Sequence, residues 1–286
     1  MKLHERPKRM VALAHPVLAH PILGSINRIM AMSLRYLYLM RSSWPRILEL
    51  AYWPTVQMIL WGFINQFLVG QSAWVAQAAG IFIAAVLLWD VLFRSQLGVS
   101  VVFFEEMYSR NLGHLFVSPL RPYELVLALV WISLIRTTIG VGAAALLAIP
   151  LYHYAIFDMG WPLVAFFSNL VVMGWSVGLV VAALVLRYGL GAESLAWAIV
   201  FAFAPVSGVY YPIEVLPVWL QSIAWSLPAS YVFEGMRGVL INHRFESHLF
   251  WSAAGLNLIY MVCAMGIFLW AFHVARKRDL LLHVGE

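Results

Sequence analysis

Charge is scarce in this chain. Of its 286 residues only 11% are Asp, Glu, Lys or Arg, against 63% hydrophobic residues. A soluble globule of this length carries about twice that charged fraction, so a water-soluble fold is excluded and most of the surface must face lipid. Cysteine is nearly missing too: the lone Cys263, in an apolar run, cannot form an intramolecular disulfide and carries no redox information. Lysine occurs only as Lys2, Lys8 and Lys277, none of them after a glycine. The Gly-x-x-x-x-Gly-Lys-Ser/Thr phosphate loop is therefore missing, which excludes an ATPase of that type within this chain. A net charge of +5 would suit nucleic acid only if the basic residues formed a solvated patch with aromatic platforms; here they flank apolar segments, which argues against nucleic acid.

Six apolar stretches of membrane-spanning length are present, over residues 50–69, 78–104, 125–149, 162–186, 194–211 and 249–272. Each is long enough for a hydrocarbon core of about 30 Å at about 1.5 Å per helical residue. Fourteen of the 18 Lys and Arg fall in the N-terminal segment, the two even-numbered loops and the C-terminal tail, and the first two odd-numbered loops have none. The positive-inside rule then predicts both termini in the cytoplasm. The basic start (Lys2, Arg6, Lys8, Arg9) precedes an apolar stretch broken by His15-Pro16 and His20-Pro21, so a cleavable signal peptide is not expected. The aromatic content of 15%, with 13 Trp, fits two interfacial belts, although many rings will pack helices together.

Residues 1–49 read as a cytoplasmic tail carrying one amphipathic helix. With Arg28 set at zero and about 100° per residue, Ile26, Ile29, Met30, Leu34, Leu37 and Met40 share one face while Arg35 returns beside Arg28. Such a helix lies in the headgroup plane, with Arg41 able to snorkel; the plainer alternative is a solvated basic tail. Residues 50–286 read as the six-span domain. Between its fifth and sixth spans, Pro205, Pro212, Pro217 and Pro228 cut an apolar region into pieces of about ten residues, too short to cross a bilayer. A re-entrant hairpin is expected there, bordering a substrate route or serving as a structural plug.

Other patterns call for weighing. Gly174-Trp175-Ser176-Val177-Gly178 matches the Gly-x-Ser-x-Gly nucleophile pattern, but that pattern works on a strand-to-helix turn and here lies inside an apolar span. Small residues four apart are expected to bring helices close instead. His243 to His248, with Glu246 between, has no metal-ligand spacing and reads as loop surface. Asp90 and Arg94 stack four apart within the second span and Arg136 lies in the third. They read either as a structural charge pair with a neighbour or as the ion path of a secondary transporter. A transporter of that kind is expected to repeat itself between its halves, and no such repeat is visible.

The remaining signal is a charged hook over residues 105–122, between the second and third spans. Its Glu106, Leu112, Leu115-Phe116 and Ser118-Pro119-Leu120, followed before the last span by Pro205, Ser207-Gly208, Tyr211-Pro212, Leu216-Pro217, Leu227-Pro228 and Glu234-Gly235-Met236-Arg237, resemble the permease subunit of type-2 ABC exporters. The resemblance covers nearly the whole chain. One departure is Arg110-Asn111, where such permeases often carry Gly-Thr.

What the resemblance implies is an all-α membrane protein with six transmembrane helices, an N-terminal interfacial helix and a re-entrant hairpin. It implies an exporter subunit of the bacterial plasma membrane that acts as a homodimer with two separate ABC ATPase subunits, in contact with membrane lipid. This chain would bind no cofactor and catalyse nothing; ATP and Mg would be used by the partner. Tyr108, Leu112, Leu115 and Phe116 would share an apolar docking face, with Glu105, Glu106 and Arg110 as orienting charges. Exported substrates in that family include drugs, lipids and glycans, and Tyr52, Trp53, Trp61 and Phe63 would suit any of them.

Overall fold

The computed structural model describes residues 21–69, 79–109 and 111–277, and among these there is no strand. In chain order the helices are α1 (Pro21–Arg41), α2 (Trp44–Val69), α3 (Ala79–Tyr108), α4 (Leu112–Val117), α5 (Pro122–Tyr152), α6 (Trp161–Tyr188), α7 (Ser194–Val206), α8 (Val218–Ala224), α9 (Pro228–Asn242) and α10 (Ser247–Lys277). Short 3-10 turns occupy Ile156–Met159, Leu190–Ala192 and Ile213–Val215. The basic N-terminal residues Lys2, Arg6, Lys8 and Arg9, and Arg110 of the hook, lie outside the described residues.

Among the described residues five helices, α2, α3, α5, α6 and α10, are long and apolar enough to span a membrane. The expected fifth span over 194–211 is shorter than that. Its helix α7 has 13 residues, about 20 Å against a hydrocarbon core of about 30 Å. Pro205 takes one donor from its last turn, and Gly208 follows at φ +63°, a left-handed conformation that ends helical hydrogen bonding. The boundary drawn at residue 49 also falls inside α2, which begins at Trp44.

Helices α3 and α6 form the centre. In their most apolar stretches 67% and 78% of residues are buried, against 22% for α2 and 28% for α10. The first pair is therefore enclosed by protein, while the other two turn most of their side chains outward. Small residues set the approach. A Cβ on Gly178 would come 2.8 Å from the Gln96 carbonyl oxygen, and one on Gly98 would come 2.9 Å from the Ser133 Cα, so α3 meets α6 and α5 almost backbone to backbone. Polar bonds tie the layers: Ser133 Oγ donates to the Ser95 carbonyl at 2.8 Å, Trp175 Nε1 donates to Ser133 Oγ at 3.2 Å, and Asn257 Nδ2 donates to Asn169 Oδ1 at 2.9 Å.

Candidate functional site

The hook end is built from three helix termini and α1. Helix α3 runs on to Tyr108, so Glu105 and Glu106 sit on its last turns and not in a separate loop. Glu106 is 2% exposed. Its carboxylate takes Arg35 Nη1 at 2.8 Å and Nη2 at 3.2 Å from α1, and Asn111 Nδ2 at 3.1 Å from the start of the hook. The buried hydroxyl of Tyr36 is pushed above its ordinary pKa by burial and then by the Glu106 charge.

Where the chain leaves the hook, a second acid repeats the arrangement. Glu124, whose side chain is fully buried, accepts Arg28 Nε at 2.8 Å, Arg28 Nη2 at 2.6 Å, the Ser25 hydroxyl at 2.5 Å and the Arg121 backbone N–H at 2.9 Å. The last bond is half of a capping box at the start of α5, with Pro122 in the first turn. Arg28 is held above its ordinary pKa by the hydrogen bond to Glu124. Arg28 and Arg35 lie two turns apart on one edge of α1, which is how one helix reaches both flanks of the hook. That edge faces the bundle, while Ile26, Met30, Leu34 and Tyr38 on the opposite side are exposed.

The expected docking face is only partly outward. Tyr108 is 58% exposed and its hydroxyl donates to Glu193 in the next loop at this end. Leu112 is buried, and Leu115 is partly buried against the core. Glu105 is half-buried and pairs with Arg46 at 3.8 Å. Phe116 lies on α4. Sequence reasoning noticed the basic edge of α1 but missed Glu124, although Pro122 and Glu124 at helix positions one and three were a visible signal.

At the opposite end the proline-rich residues assemble into a compact turn. Tyr211 hydroxyl donates to the Pro205 carbonyl at 2.5 Å. Glu234 Oε1 accepts the Ile213 N–H and Arg237 Nη2, both at 2.8 Å, so α9 holds the turn through one carboxylate. Gly208 is required there: besides its positive φ, a Cβ would sit 3.0 Å from the Tyr211 carbonyl oxygen. Pro212 and Pro217 precede the Ile213–Val215 turn and α8, and Pro228 opens α9. Each stands where a missing N–H leaves no helical bond unmade. Val215, Val218 and Trp219 are 70%, 80% and 68% exposed, an apolar edge beyond this turn.

Within the bundle, Asp90 and Arg94 share a face of α3 but form no ion pair; Asp90 Oδ2 and Arg94 Nε have no hydrogen-bond partner among the described residues. Arg136 borders a cavity of about 20 Å³ with Tyr36, Arg46, Leu50 and Glu105. Ser176 Oγ donates to the Val172 carbonyl at 2.9 Å within its own helix, and Gly174 lies against the α3 backbone. The Gly-x-Ser-x-Gly residues thus occupy a helix contact. Among the described residues no group of three His, Cys, Asp or Glu is placed to hold a metal.

A family model described as ABC-2 type transporter matches residues 36–241, well over half of the chain. The chain belongs to the ABC-2 type transporter family. No curated protein matches it individually. The matched segment holds the hook and the proline-rich turn, and it leaves out Arg28, Arg35 and α10. Membership and the five apolar helices make the chain a multi-pass membrane permease of ABC transport.

Proposed function

We propose that this permease is the membrane subunit of an ATP-driven exporter, working as a homodimer with two separate ATPase chains that dock on its hook. The observation that supports this most directly is the construction of the hook end. A six-residue helix stands between two helix termini, each closed by a buried glutamate clamped to the same α1. A push on α4 is thereby shared with α1, α3 and α5 instead of being absorbed by a loose loop. ATP and Mg belong to the partner chains, since this one has no phosphate loop.

In the same reading α7 and the segment through α9 together complete a sixth crossing. Six crossings leave both termini in the cytoplasm of a bacterial plasma membrane, with α1 in the inner headgroup layer. The proline-rich turn dips into the outer leaflet with the apolar edge at Val215, Val218 and Trp219. The cargo is an amphipathic molecule of drug, lipid or glycan type.

Gly113 supplies the test of docking. A Cβ at this position on α4 meets nothing within 4 Å, so Gly113→Glu leaves the permease folded while placing a charge on the hook. Capture of the co-expressed ATPase is expected to fall by at least tenfold, and efflux with it. Unchanged capture and efflux would remove the hook from the coupling path. Topology is checked separately with Trp219→Cys in a Cys263→Ser background. A membrane-impermeant maleimide is expected to label intact cells, and labelling confined to inside-out vesicles would reverse the orientation.

A further inference from the structure

Asp90 carries more than a structural role explains. It is 4% exposed, and its Oδ2 has no hydrogen-bond partner. The nearest cation along α3, Arg94, lies one turn toward the hook and forms no ion pair with it. A buried carboxylate without a direct partner is expensive in a low-dielectric interior, and at membrane depth such a group marks a binding or transport path.

Aromatic faces gather on the outward side of this carboxylate. The inward side of α2 carries Pro54, Met58, Trp61 and Asn65 at helical spacing, with Met58 fully buried. Trp61 stacks on Tyr210 of the proline-rich turn, with centroids 4.4 Å apart and planes 13° from parallel. On α3 itself Phe82 lies 6.3 Å from Trp61 with planes 8° apart, two turns beyond Asp90. The Asp90 charge reaches the Tyr210 hydroxyl. Asn65 adds a buried Oδ1 without a hydrogen-bond partner among the described residues, one turn beyond Trp61. The α2, α3 and turn elements thus set π faces and acceptor oxygens along one stretch of the bundle, and Arg94, the cation that acts on Asp90 from one turn away, does so without an ion pair.

We propose that Asp90, with the Trp61–Tyr210 stack, Phe82 and Asn65, recognises the cationic head of an amphipathic organic substrate. The proposal deepens the permease reading by naming its substrate class. An organic cation with an apolar body satisfies each part. Its charge pairs with the open carboxylate oxygen where the low dielectric strengthens the attraction, and its flanks lie against ring faces that attract cations. A carboxylate substrate would meet Asp90 as a like charge. A neutral glycan would leave the carboxylate unpaired.

The test uses the full-length permease in lipid nanodiscs, with tetraphenylphosphonium and its anionic counterpart of the same shape, tetraphenylborate, measured by equilibrium dialysis against empty discs. Saturable binding of the cation is expected, with the anion at least tenfold weaker. Asp90→Asn is expected to weaken cation binding tenfold or more, about 1.4 kcal/mol per decade. Asp90→Glu should stay within about threefold of the parent. Trp61→Leu is expected to weaken it severalfold, and it provides the readout should Asp90→Asn fail to fold. Equal binding of cation and anion, no saturable cation binding, or unchanged affinity in both Asp90→Asn and Trp61→Leu would overturn the proposal. The Gly113→Glu capture assay separates this site from the coupling reading: charge selectivity with no ATPase capture by the parent chain sinks only the coupling. ATPase capture without charge selectivity sinks only the site.

Discussion

Gly174→Val is expected to destabilise the folded permease strongly, whereas Ser176→Ala two residues along should leave it unchanged. A Cβ at Gly174 would come 2.7 Å from the Leu92 carbonyl oxygen and 2.9 Å from the Gln96 nitrogen, both on the α3 backbone. Neither can rotate aside as a side-chain tip would, so α3 and α6 must separate along the contact that forms the core. Overpacking costs typically 1–3 kcal/mol, and here roughly the upper end or more, against a total stability of about 5–15 kcal/mol. The Ser176 hydroxyl bonds to its own helix at Val172, and its loss should stay within about 0.5 kcal/mol. Gel filtration of the detergent-solubilised protein reads the difference. A monodisperse Gly174→Val protein with parental thermal stability would contradict the close-contact account, and inactivation by Ser176→Ala would revive nucleophile chemistry.

The clamps at the hook end should respond asymmetrically to truncation. Glu124 is fully buried while Arg28 keeps 27% of its side chain exposed; Glu106 and Arg35 stand in the same relation at 2% and 35%. Arg28→Ala takes the charge partner from a buried carboxylate and leaves it the Ser25 hydroxyl and the Arg121 N–H, a loss of about 3 kcal/mol. Glu124→Ala frees an arginine able to turn toward water or headgroups, and the loss is expected to be nearer 2 kcal/mol, part of it from the capping bond at Arg121. The double replacement should be milder than Arg28→Ala alone, because no unpaired charge remains buried. Hydrogen exchange across residues 21–41, together with the melting temperature in detergent, reports the order. A Glu124→Ala protein less stable than Arg28→Ala would show that capping and the Ser25 bond outweigh the ion pair.

Several features were legible because they depend on local periodicity alone. Hydropathy and length revealed five spanning helices, the 3.6-residue repeat revealed α1, and the spacing of small residues in α6 pointed to a helix contact. The motif order along the chain pointed to the family that residues 36–241 match. Over residues 194–211 the helix ends earlier than hydropathy implies, because hydropathy runs on through a proline and a glycine that stop α7 at Val206. Apolar composition registers transfer free energy, not backbone dihedrals, so a window average cannot see that stop.

The sequence by itself determined the solvent of this protein, its helical class, the lack of a phosphate loop and the residue types at the hook. Tertiary structure decided the orientation of those residues. The basic edge of α1 turns inward because Glu106 and Glu124, 71 and 96 residues away from their arginine partners, present carboxylates at the same end of the bundle. Leu112 turns into the core, and Asp90 and Arg94, adjacent on one helical face, remain unjoined. A one-dimensional pattern states which side chains share a face. Which element that face meets is set by long-range packing, where the energy of a charge depends on a partner that no local spacing names.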